Sequence, residues 1–404
     1  MIEKVISFYI KNSIRAIEEK CNRCLGDNII TDYNGIKYCL DCNQYQEINS
    51  EKFLLRQKRN VDKTYPKLKL DFILNEEQKQ GSIFMENCYK ERKNAFLQAV
   101  CGAGKTEIIL AVILRALTEY KSICLVIPRV EIIKQVTERM NKYFPDTKIL
   151  SLYGGSNKID NSPLIIATPQ QLIKFYQEFD LIIIDEVDAF PFLNNLFLER
   201  LVEKARKPEA IVFQMSATIT EKLARLIKNQ KIEYHLISRR YHKRDLPIPR
   251  FIKSRSLLDS VNLILIKKYT LNNNPLIIYV SSIKKAYLLK DYLNKARILS
   301  AVITSESKAK KTVLKDFQRL NPSILISTTI LERGVTFPNI NVLVLEADQT
   351  VFNEATLIQI AGRVGRVTAV GEVVFTSKFI SEEMINAKKS IIEFNRGKND
   401  LRPL

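Results

Sequence analysis

The stretch AVCGAGKTE, residues 99–107, constrains the fold of this 404-residue chain more than any other. It matches the phosphate-binding pattern G-x-x-x-x-G-K-[ST], except that Ala99 stands in the first glycine position. That pattern belongs to a loop that leaves a β-strand and enters a helix. The flanking segments NAFLQAV and KTEIILAVILRALTEY have the apolar patterns of such a strand and such a helix. The loop therefore predicts an α/β fold that binds a nucleotide.

Apolar strands alternate with amphipathic helices over most of the remaining chain. The strands are apolar on both faces, which is typical of a parallel sheet covered by helices on both sides. The alternation stops at the basic, proline-marked stretch SRRYHKRDLPIPRF, residues 238–251, and begins again at PLIIYV. We therefore predict two tandem α/β domains, each with a parallel sheet, joined by a hinge.

The first 50 residues have a different character from the rest of the chain. Their apolar residues fall at helical spacing and predict an N-terminal helix that packs on another element; they are Ile2, Val5, Ile6, Tyr9, Ile10, Ile14 and Ile17. A polar, basic connector follows. The predicted division of the chain is an N-terminal helix with a small cysteine module (1–50), a linker (51–70), a first α/β domain (71–245) and a second α/β domain (246–404).

The formal net charge of +19 and the isoelectric point near 9.5 favour a polyanionic partner. That partner is either nucleic acid or an anionic membrane surface. The amino-terminal stretch carries Glu3, Lys4 and Lys11 where a signal peptide would be apolar. No run approaches the roughly 18 apolar residues of a membrane span. We expect a cytoplasmic chain, with at most a peripheral association at the inner face of the cell membrane.

The loop supplies one half of the predicted nucleotide site. Gly102 and Gly104 allow backbone N–H groups around Ala103 to close on phosphate oxygens. Lys105 would neutralise the β- and γ-phosphates, and Thr106 would offer its hydroxyl to Mg²⁺. ATP and Mg²⁺ are therefore the expected cofactors.

The segment LIIIDEVDAF supplies the other half of the nucleotide site. Its apolar strand delivers Asp185 and Glu186 to the carboxyl edge of the sheet, where ligands of open α/β sheets bind. Asp185 would hold Mg²⁺ through water, and Glu186 would orient and deprotonate the attacking water. The pair predicts an ATP hydrolase.

Two arginines in IQIAGRVGR, Arg363 and Arg366, belong to the second domain. One of them would act as an arginine finger on the γ-phosphate, worth about 10³ to 10⁵ in rate. The alternative is a cation-rich helix C-terminus that only complements the helix dipole. A finger on the second domain predicts a cycle in which ATP closes the two domains and hydrolysis reopens them.

Four of the seven cysteines form the pattern Cys21-x₂-Cys24, fourteen residues, Cys39-x₂-Cys42. This is close to the ribbon spacing of tetrahedral Zn²⁺ sites, and it favours metal over disulfides in a cytoplasmic chain. The zinc module could serve structure, protein docking or DNA contact. The other cysteines show no ligand spacing and are expected to be buried or incidental thiols; they are Cys88, Cys101 and Cys124.

Five motifs occur in a fixed order and resemble those of superfamily 2 helicases and translocases over roughly residues 70–404. They are GAGKTE, DEVDAF, SAT at 216–218, TTILERGVTFPN at 328–339, and QIAGRVGR. The resemblance implies that the two α/β domains are RecA-like. It also implies a nucleic-acid-stimulated ATPase.

The resemblance further implies roles for individual residues. Gln78 would read the adenine, Glu107 would complete the nucleotide site, and Gln359 would act with the two arginines at the catalytic centre. Coupling of hydrolysis to movement would involve Ser216, Ala217, Thr218 and Gly334. The DNA would contact Pro128, Arg129, Gly154, Gly155, Thr168 and Pro169 on the first domain and Ser281, Thr328 and Thr329 on the second.

Within the superfamily, the cysteine module before the core and the sequence DEVDAFP look like the late-competence helicase family ComFA. That resemblance implies a single-stranded DNA translocase that serves DNA uptake in transformable bacteria. It implies a ComFC-like protein and the membrane DNA-uptake channel as partners. The primosome restart helicase PriA has similar core motifs but carries its cysteine pairs inside the second helicase half.

Three functions remain open from the sequence. The first is a single-stranded DNA translocase of the ComFA type. The second is a replication-restart or recombination helicase, and the third is an ATP-gated DNA clamp or adaptor that moves nothing. Displacement of a roadblock such as streptavidin from DNA would separate a motor from a clamp.

Overall fold

The computed structural model describes residues 1–156, 158–242, 244–271, 275–307, 309–328, 339–365 and 371–397. The chain divides into two compact units. The first consists of Met1–Leu97 and Lys105–His235, and the second of Gln98–Gly104 and Leu236–Leu404. Each unit is built around its own mainly parallel sheet, as the alternating pattern predicts.

The first unit is organised by a seven-stranded sheet in the order β12-β6-β11-β10-β7-β9-β8. Its strands are β6 (Ala95–Ala99), β7 (Ile123–Val126), β8 (Ile149–Leu152), β9 (Leu164–Ala167), β10 (Phe179–Asp185), β11 (Arg206–Ser216) and β12 (Glu233–Ile237). Strand β10 runs parallel to both neighbours, with Leu181 opposite Ile123 and Ile211. Every residue of β6, β7 and β9 is buried, so helices cover both faces of the sheet.

Helices cover this sheet on both sides. They are α2 (Glu76–Lys90), α3 (Lys105–Ile108), α4 (Leu110–Thr118), α5 (Val130–Tyr143), a 3₁₀ helix (Pro169–Lys174), α6 (Leu196–Ala205) and α7 (Glu221–Lys228). Helix α5 buries Ile133, Val136 and Met140, whose spacing places them on one face. The helix predicted over KTEIILAVILRALTEY is interrupted at Ile109, where α3 gives way to α4.

The second unit has a six-stranded sheet in the order β13-β18-β17-β14-β16-β15, and every neighbouring pair is parallel. Its strands are β13 (Arg250–Lys253), β14 (Leu276–Tyr279), β15 (Ala301–Ile303), β16 (Ile324–Ser327), β17 (Asn341–Val344) and β18 (Val373–Ser377). Its helices are α8 (Ser260–Leu271), α9 (Ile283–Lys295), α10 (Lys310–Gln318), α11 (Glu354–Ala361) and α12 (Glu382–Arg396).

Residues 1–57 form a β-rich segment, here called the N-terminal module, within the first unit. Three antiparallel strands lie in the order β1-β5-β2: β1 (Ile2–Ile6), β2 (Ser13–Arg15) and β5 (Phe53–Gln57). A hairpin of β3 (Ile29–Thr31) and β4 (Lys37–Cys39) leads into the short helix α1 (Leu40–Asn43).

The predicted N-terminal helix is wrong, because residues 2–6 and 13–15 are strands. The apolar residues here are mostly isoleucine and valine, which favour strands as soon as a partner strand is present. That partner is β5, which lies inside the stretch predicted to be a linker at 51–70. Ile2 pairs with Gln57, and Ile6 with Phe53.

Candidate nucleotide site, metal centre and nucleic-acid path

The phosphate-binding loop has the local conformation that its glycines predict. Strand β6 ends at Ala99, and Gly102 and Gly104 follow with φ angles of 88° and 81°. A side chain is strained in this left-handed region, so glycine suits both positions. Ala103 lies between them and is buried, and α3 begins at Lys105.

Lys105 and Asp185 face each other in the first unit. The Nζ atom of Lys105 lies 3.4 Å from Oδ1 of Asp185, and the two side chains are 16% and 17% exposed. Asp185 is the last residue of β10, at the carboxyl end of a parallel strand. A partly open cation and carboxylate at this edge fit the phosphates and the Mg²⁺ of a bound nucleotide.

Glu186 turns away from the strand immediately after Asp185. Its φ angle is 61°, a region that few residues other than glycine adopt. The turn is held because the N–H groups of Glu186 and Val187 both donate to the carbonyl of Met215, at 2.8 and 3.3 Å. The backbone therefore turns directly after Asp185, and the separate roles of Asp185 and Glu186 stay predictions.

Asp188 links the acidic segment to the SAT segment, a connection that the sequence analysis did not assign. Its Oδ2 accepts hydrogen bonds from the N–H and the hydroxyl of Thr218, at 3.2 and 2.8 Å. The hydroxyl of Ser216 donates to the carbonyl of Thr218 at 2.6 Å, and Ala217 between them is buried. Burial raises the pKa of Asp188. The predicted coupling residues 216–218 therefore contact the segment that carries Asp185.

Arg139 is a second residue that the sequence analysis missed. From helix α5 its guanidinium donates to Oε1 of Glu107 at 2.7 Å and to Oγ1 of Thr106 at 3.2 Å. The hydroxyl of Tyr143, one turn further along α5, donates to the same carboxylate at 3.4 Å. The spacing of Arg139 and Tyr143 on a helix gives no signal of this role, since only the fold brings α5 beside α3.

Gln78 takes part in the start of helix α2. Its N–H donates to Oδ1 of Asn75 at 2.9 Å, and its own Oε1 accepts from the N–H of Asn75 at 3.0 Å. This reciprocal capping box gives Gln78 a structural task. Its predicted contact with adenine stays a prediction.

The second unit holds Gln359 and Arg363, which are 4% and 1% exposed, on α11 and just after it. Arg240, another residue that the sequence analysis did not single out, donates to the carbonyls of Gly362 and Val364 at 3.1 and 2.7 Å. These bonds fix the backbone on both sides of Arg363. Three predicted site residues lie outside the described residues: Thr329, Gly334 and Arg366.

The predicted nucleic-acid contacts follow the carboxyl ends of parallel strands. In the first unit they come after β7, β8 and β9, which are adjacent in the sheet; they are Pro128, Arg129, Gly154, Gly155, Thr168 and Pro169. In the second unit Ser281 follows β14, and Thr328 follows β16. Each unit therefore gathers its own predicted contacts along one edge of its sheet. Their contact with nucleic acid stays a prediction.

The four predicted metal ligands come together in the N-terminal module. The sulfurs of Cys21, Cys24, Cys39 and Cys42 all lie within 4.8 Å of one another, and all four residues are buried. The Sγ atoms are 3.7 Å apart for Cys21 and Cys42 and 3.6 Å for Cys24 and Cys39. Four sulfurs at the usual Zn–S distance form a tetrahedron with edges of about 3.8 Å. The cluster therefore fits Zn²⁺.

Gly26 shows how tightly the chain wraps this cluster. A side chain at this position would start 2.8 Å from a carboxylate oxygen of Asp41 and 3.1 Å from the sulfur of Cys24. The carbonyl of Gly26 accepts a hydrogen bond from the N–H of Cys21 at 2.8 Å. Glycine is therefore the residue that lets the first cysteine loop close.

The remaining cysteines lie away from this cluster. Cys88 and Cys124 are buried, and burial raises the pKa of Cys88 to about 11. Cys101 is half-buried. The expectation of buried or incidental thiols is confirmed for Cys88 and Cys124.

Buried ion pairs attach the N-terminal module to the rest of the first unit. The carboxylate of Glu3 accepts from Nζ of Lys204 at 2.8 Å and from Nε of Arg56 at 2.9 Å. Lys204 also donates to the carbonyl of Ile173 at 2.8 Å, and burial lowers its pKa. The guanidinium of Arg56 lies 3.4 Å from the ring centroid of Tyr176. The module is thus joined to helix α6 and to the 3₁₀ helix region.

Two further ion pairs connect residues of the first unit that are far apart in sequence. Arg59 donates to Glu178 at 2.8 Å and to the hydroxyl of Ser122 at 2.8 Å. Arg200 of α6 forms an ion pair with Asp41 of α1. These partners are 119 and 159 residues apart in sequence, so no local pattern could predict them.

Comparisons with known proteins agree with this architecture. Residues 40–221 match the family described as "Type III restriction enzyme, res subunit", and residues 256–368 match "Helicase conserved C-terminal domain". A structure described as "S. cerevisiae Dbp5 bound to RNA and ADP BeF3" aligns with a TM-score of 0.54. It is 19% identical and covers 80% of this chain and 92% of that one, which supports the fold alone.

Two curated relatives extend over nearly the whole chain. The competence protein ComFA of Bacillus subtilis is 30% identical over 97% of this chain and 91% of its own length. That of Streptococcus pneumoniae is 31% identical over 93% of this chain and 90% of its own length.

The two RecA-like sheets and the matching helicase families define a superfamily 2 nucleic-acid helicase with a nucleotide site. Such proteins bind nucleic acid. Within that class, the chain belongs to the ComFA family of competence proteins. Among the described residues, no helix is both long and apolar enough to cross a lipid bilayer.

Proposed function

We propose that this protein hydrolyses ATP to move along single-stranded DNA and thereby drives the uptake of transforming DNA in competent bacteria. Membership of the ComFA family supports the biological setting. The observation that carries the enzymatic part is the facing pair of Lys105 and Asp185, 3.4 Å apart and partly open to solvent.

In this proposal the phosphate-binding loop, the start of α3 and the end of β10 divide the chemistry. Lys105 neutralises the β- and γ-phosphates, and the amides around Gly102 and Gly104 hold their oxygens. Asp185 and Thr106 would hold a Mg²⁺ ion, which would supply positive charge beside the phosphates. Glu186 orients the attacking water and accepts its proton.

In this proposal, ATP hydrolysis is coupled to movement along the strand through the contacts between Asp188 and Thr218. A change at Asp185 passes along three residues to Asp188, which holds Thr218 by two hydrogen bonds. In the second unit, Arg363 would supply positive charge to the γ-phosphate in the transition state, and Arg240 fixes the backbone that carries it. The bound strand would be positioned by backbone contacts without reading its sequence.

We also propose that the cysteine cluster binds Zn²⁺. The predicted domain limits, at 71–245 and 246–404, also remain part of the proposal. A ComFC-like protein and the membrane DNA-uptake channel are the partners that this function would require.

The first test measures ATP hydrolysis by the purified protein alone, with single-stranded DNA, with duplex DNA and with RNA. The Lys105→Ala variant serves as the blank. We expect strong stimulation by single-stranded DNA. Equal stimulation by RNA, or none by any polymer, would contradict the proposal.

The second test separates a motor from an ATP-gated clamp. A biotinylated single-stranded oligonucleotide carries streptavidin at one end, and its release is followed with ATP present. We expect ATP-dependent displacement. Hydrolysis without displacement from either end would favour the clamp.

A further inference from the structure

A groove of about 500 Å³ separates the N-terminal module from the predicted nucleic-acid path on the first unit. One wall is β1 together with Arg23, which lies between Cys21 and Cys24, and Tyr45, which follows helix α1. The other wall is the turn after β8 and the 3₁₀ helix, which contribute Gly155, Gln171 and Lys174. All of these residues belong to the first unit.

Cations line this groove without carboxylate partners. Arg23 is only 7% exposed, and its guanidinium donates to the carbonyl of Gln46 at 3.1 Å. Lys174 donates from Nζ to the carbonyl of Ser156 at 2.8 Å. Within the described residues, neither cation forms an ion pair with a carboxylate, and Lys4 adds a third, exposed positive charge.

The one carboxylate among the lining residues is already neutralised. Glu3 pairs with Lys204 and Arg56 and is 1% exposed, so it offers nothing to the groove. Burial, and to a smaller extent the charge of Arg23, lower the pKa of Lys174. A buried and a half-buried cation that repel each other gain stability when an anion lies between them.

The position of the groove indicates which anion it suits. Gly155 forms part of its rim and is also one of the predicted contacts for a nucleic-acid strand. Gln170 and Gln171 line it directly after Thr168 and Pro169, which are two more of these contacts. A strand that leaves the sheet edge at these residues would enter the groove. There its phosphodiester groups would meet the positive charges of Lys4, Arg23 and Lys174, which line the groove.

We infer that the groove binds the phosphate backbone of single-stranded nucleic acid and extends the strand path from the RecA-like sheet onto the cysteine module. The inference rests on the proposed function, because it continues the path of the translocated strand. It gives the cysteine module a task beyond its own folding. The module would hold the strand at a fixed distance from the motor.

The salt dependence of DNA binding tests this inference. The Lys4→Gln/Lys174→Gln variant removes two groove charges, and Lys20→Gln/Lys228→Gln is a matched control with the same charge change at exposed positions outside the groove. Binding of a fluorescent oligothymidylate is measured from 50 to 200 mM salt. Each lost phosphate contact lowers the slope of log Kd against log salt concentration by about 0.7, so we expect a decrease of about 1.4 for the groove variant. The control should keep the wild-type slope.

A second measurement on the unchanged protein covers the case in which the groove variant folds poorly. An oligonucleotide with 5-iodouracil is cross-linked by light, and mass spectrometry locates the adduct. We expect an adduct on Tyr45, a residue that is 37% exposed and whose ring stacks on Phe197 at 5.5 Å between centroids.

A failure of the groove assignment can be distinguished from a failure of the proposed function. Equal slopes for the groove and control variants, in a protein whose wild type binds the oligonucleotide, would overturn the groove assignment alone and leave the basic surface to an acidic protein partner. A wild type that binds no single-stranded DNA would overturn both the groove assignment and the proposed function.

Discussion

Two lysine–carboxylate pairs in the first unit have the same chemistry and different environments. Lys204 and Glu3 lie 2.8 Å apart with side chains 0% and 1% exposed, and both have further polar partners. Lys105 and Asp185 lie 3.4 Å apart and are 16% and 17% exposed. Lys204 and Glu3, here called the closed pair, are shielded from solvent. Lys105 and Asp185, here called the open pair, are further apart and accessible to solvent.

This difference separates a structural pair from a binding pair. A buried, hydrogen-bonded pair cannot exchange its partners without a large desolvation cost, so it fixes the N-terminal module in place. A partly exposed pair can be separated by a ligand that offers each group a better partner. Phosphate and Mg²⁺ are such partners for Lys105 and Asp185.

The largest expected effect concerns the Zn²⁺ ion that we propose for the cysteine cluster of the N-terminal module. Replacing Cys21 and Cys24 by serine should abolish zinc binding, whose apparent free energy in small zinc modules is about 10 kcal/mol or more. Elemental analysis of the purified variant measures the metal, and limited proteolysis measures the loosening of residues 1–57. A wild-type protein purified with no zinc, or a variant that retains it, would contradict the metal assignment.

The closed pair should show the next largest effect. Lys204→Ala leaves Glu3 buried with half of its countercharge and should lower the free energy of unfolding by about 3–5 kcal/mol. The Glu3→Gln/Lys204→Met double variant removes both charges and should recover part of that loss. Urea denaturation of the three proteins gives the comparison. A single variant as stable as the wild type would show that the pair is not structural.

The open pair should behave in the opposite way. Lys105→Ala should lower the rate of ATP hydrolysis by about 10²- to 10³-fold, because it removes positive charge from the transition state. Its melting temperature should stay close to that of the wild type, since the pair contributes little to folding. Lys228→Ala, at an exposed position on α7, is the control for both measurements. Comparable ATPase activity in the two variants would remove Lys105 from the site.

The smallest expected effect concerns Asp188, a buried carboxylate near the open pair. Burial raises its pKa, so the folded protein holds this proton more tightly than the unfolded chain does. The resulting stabilisation is complete below the unfolded-state pKa of about 3.9 and is lost as the pH rises through the folded-state value. The wild type should therefore lose stability relative to Asp188→Asn between about pH 4 and neutrality. Parallel urea-derived stabilities over that range would contradict this sign.

The parts of the molecule that the sequence could predict are those whose chemistry depends on local spacing. The loop at Gly102 and Gly104 needs only a preceding strand and a following helix. Cys21 and Cys24 are three residues apart in one turn, and Cys39 and Cys42 are three residues apart where β4 leads into α1. In both cases a few neighbouring residues contain the whole signal.

The parts that escaped prediction depend on contacts between distant residues. Ile2, Val5 and Ile6 fit a helix as well as a strand, and only the pairing with residues 53–57 decides between them. Arg139 reaches Thr106 across 33 positions, and Lys204 reaches Glu3 across 201. Periodicity carries no information about such partners, since each side chain alone resembles an ordinary surface charge.

The apolar contacts of the cysteine cluster have a consequence for how the protein unfolds. Cys21, Cys42 and Leu54 share one continuous buried cluster with Leu172 and Leu201 of the RecA-like part. Elements that share a core lose their packing together, so the module and the first unit should form one cooperative folding unit. A calorimetric scan would then show a single transition for both, and loss of the metal would lower the melting temperature of the whole first unit.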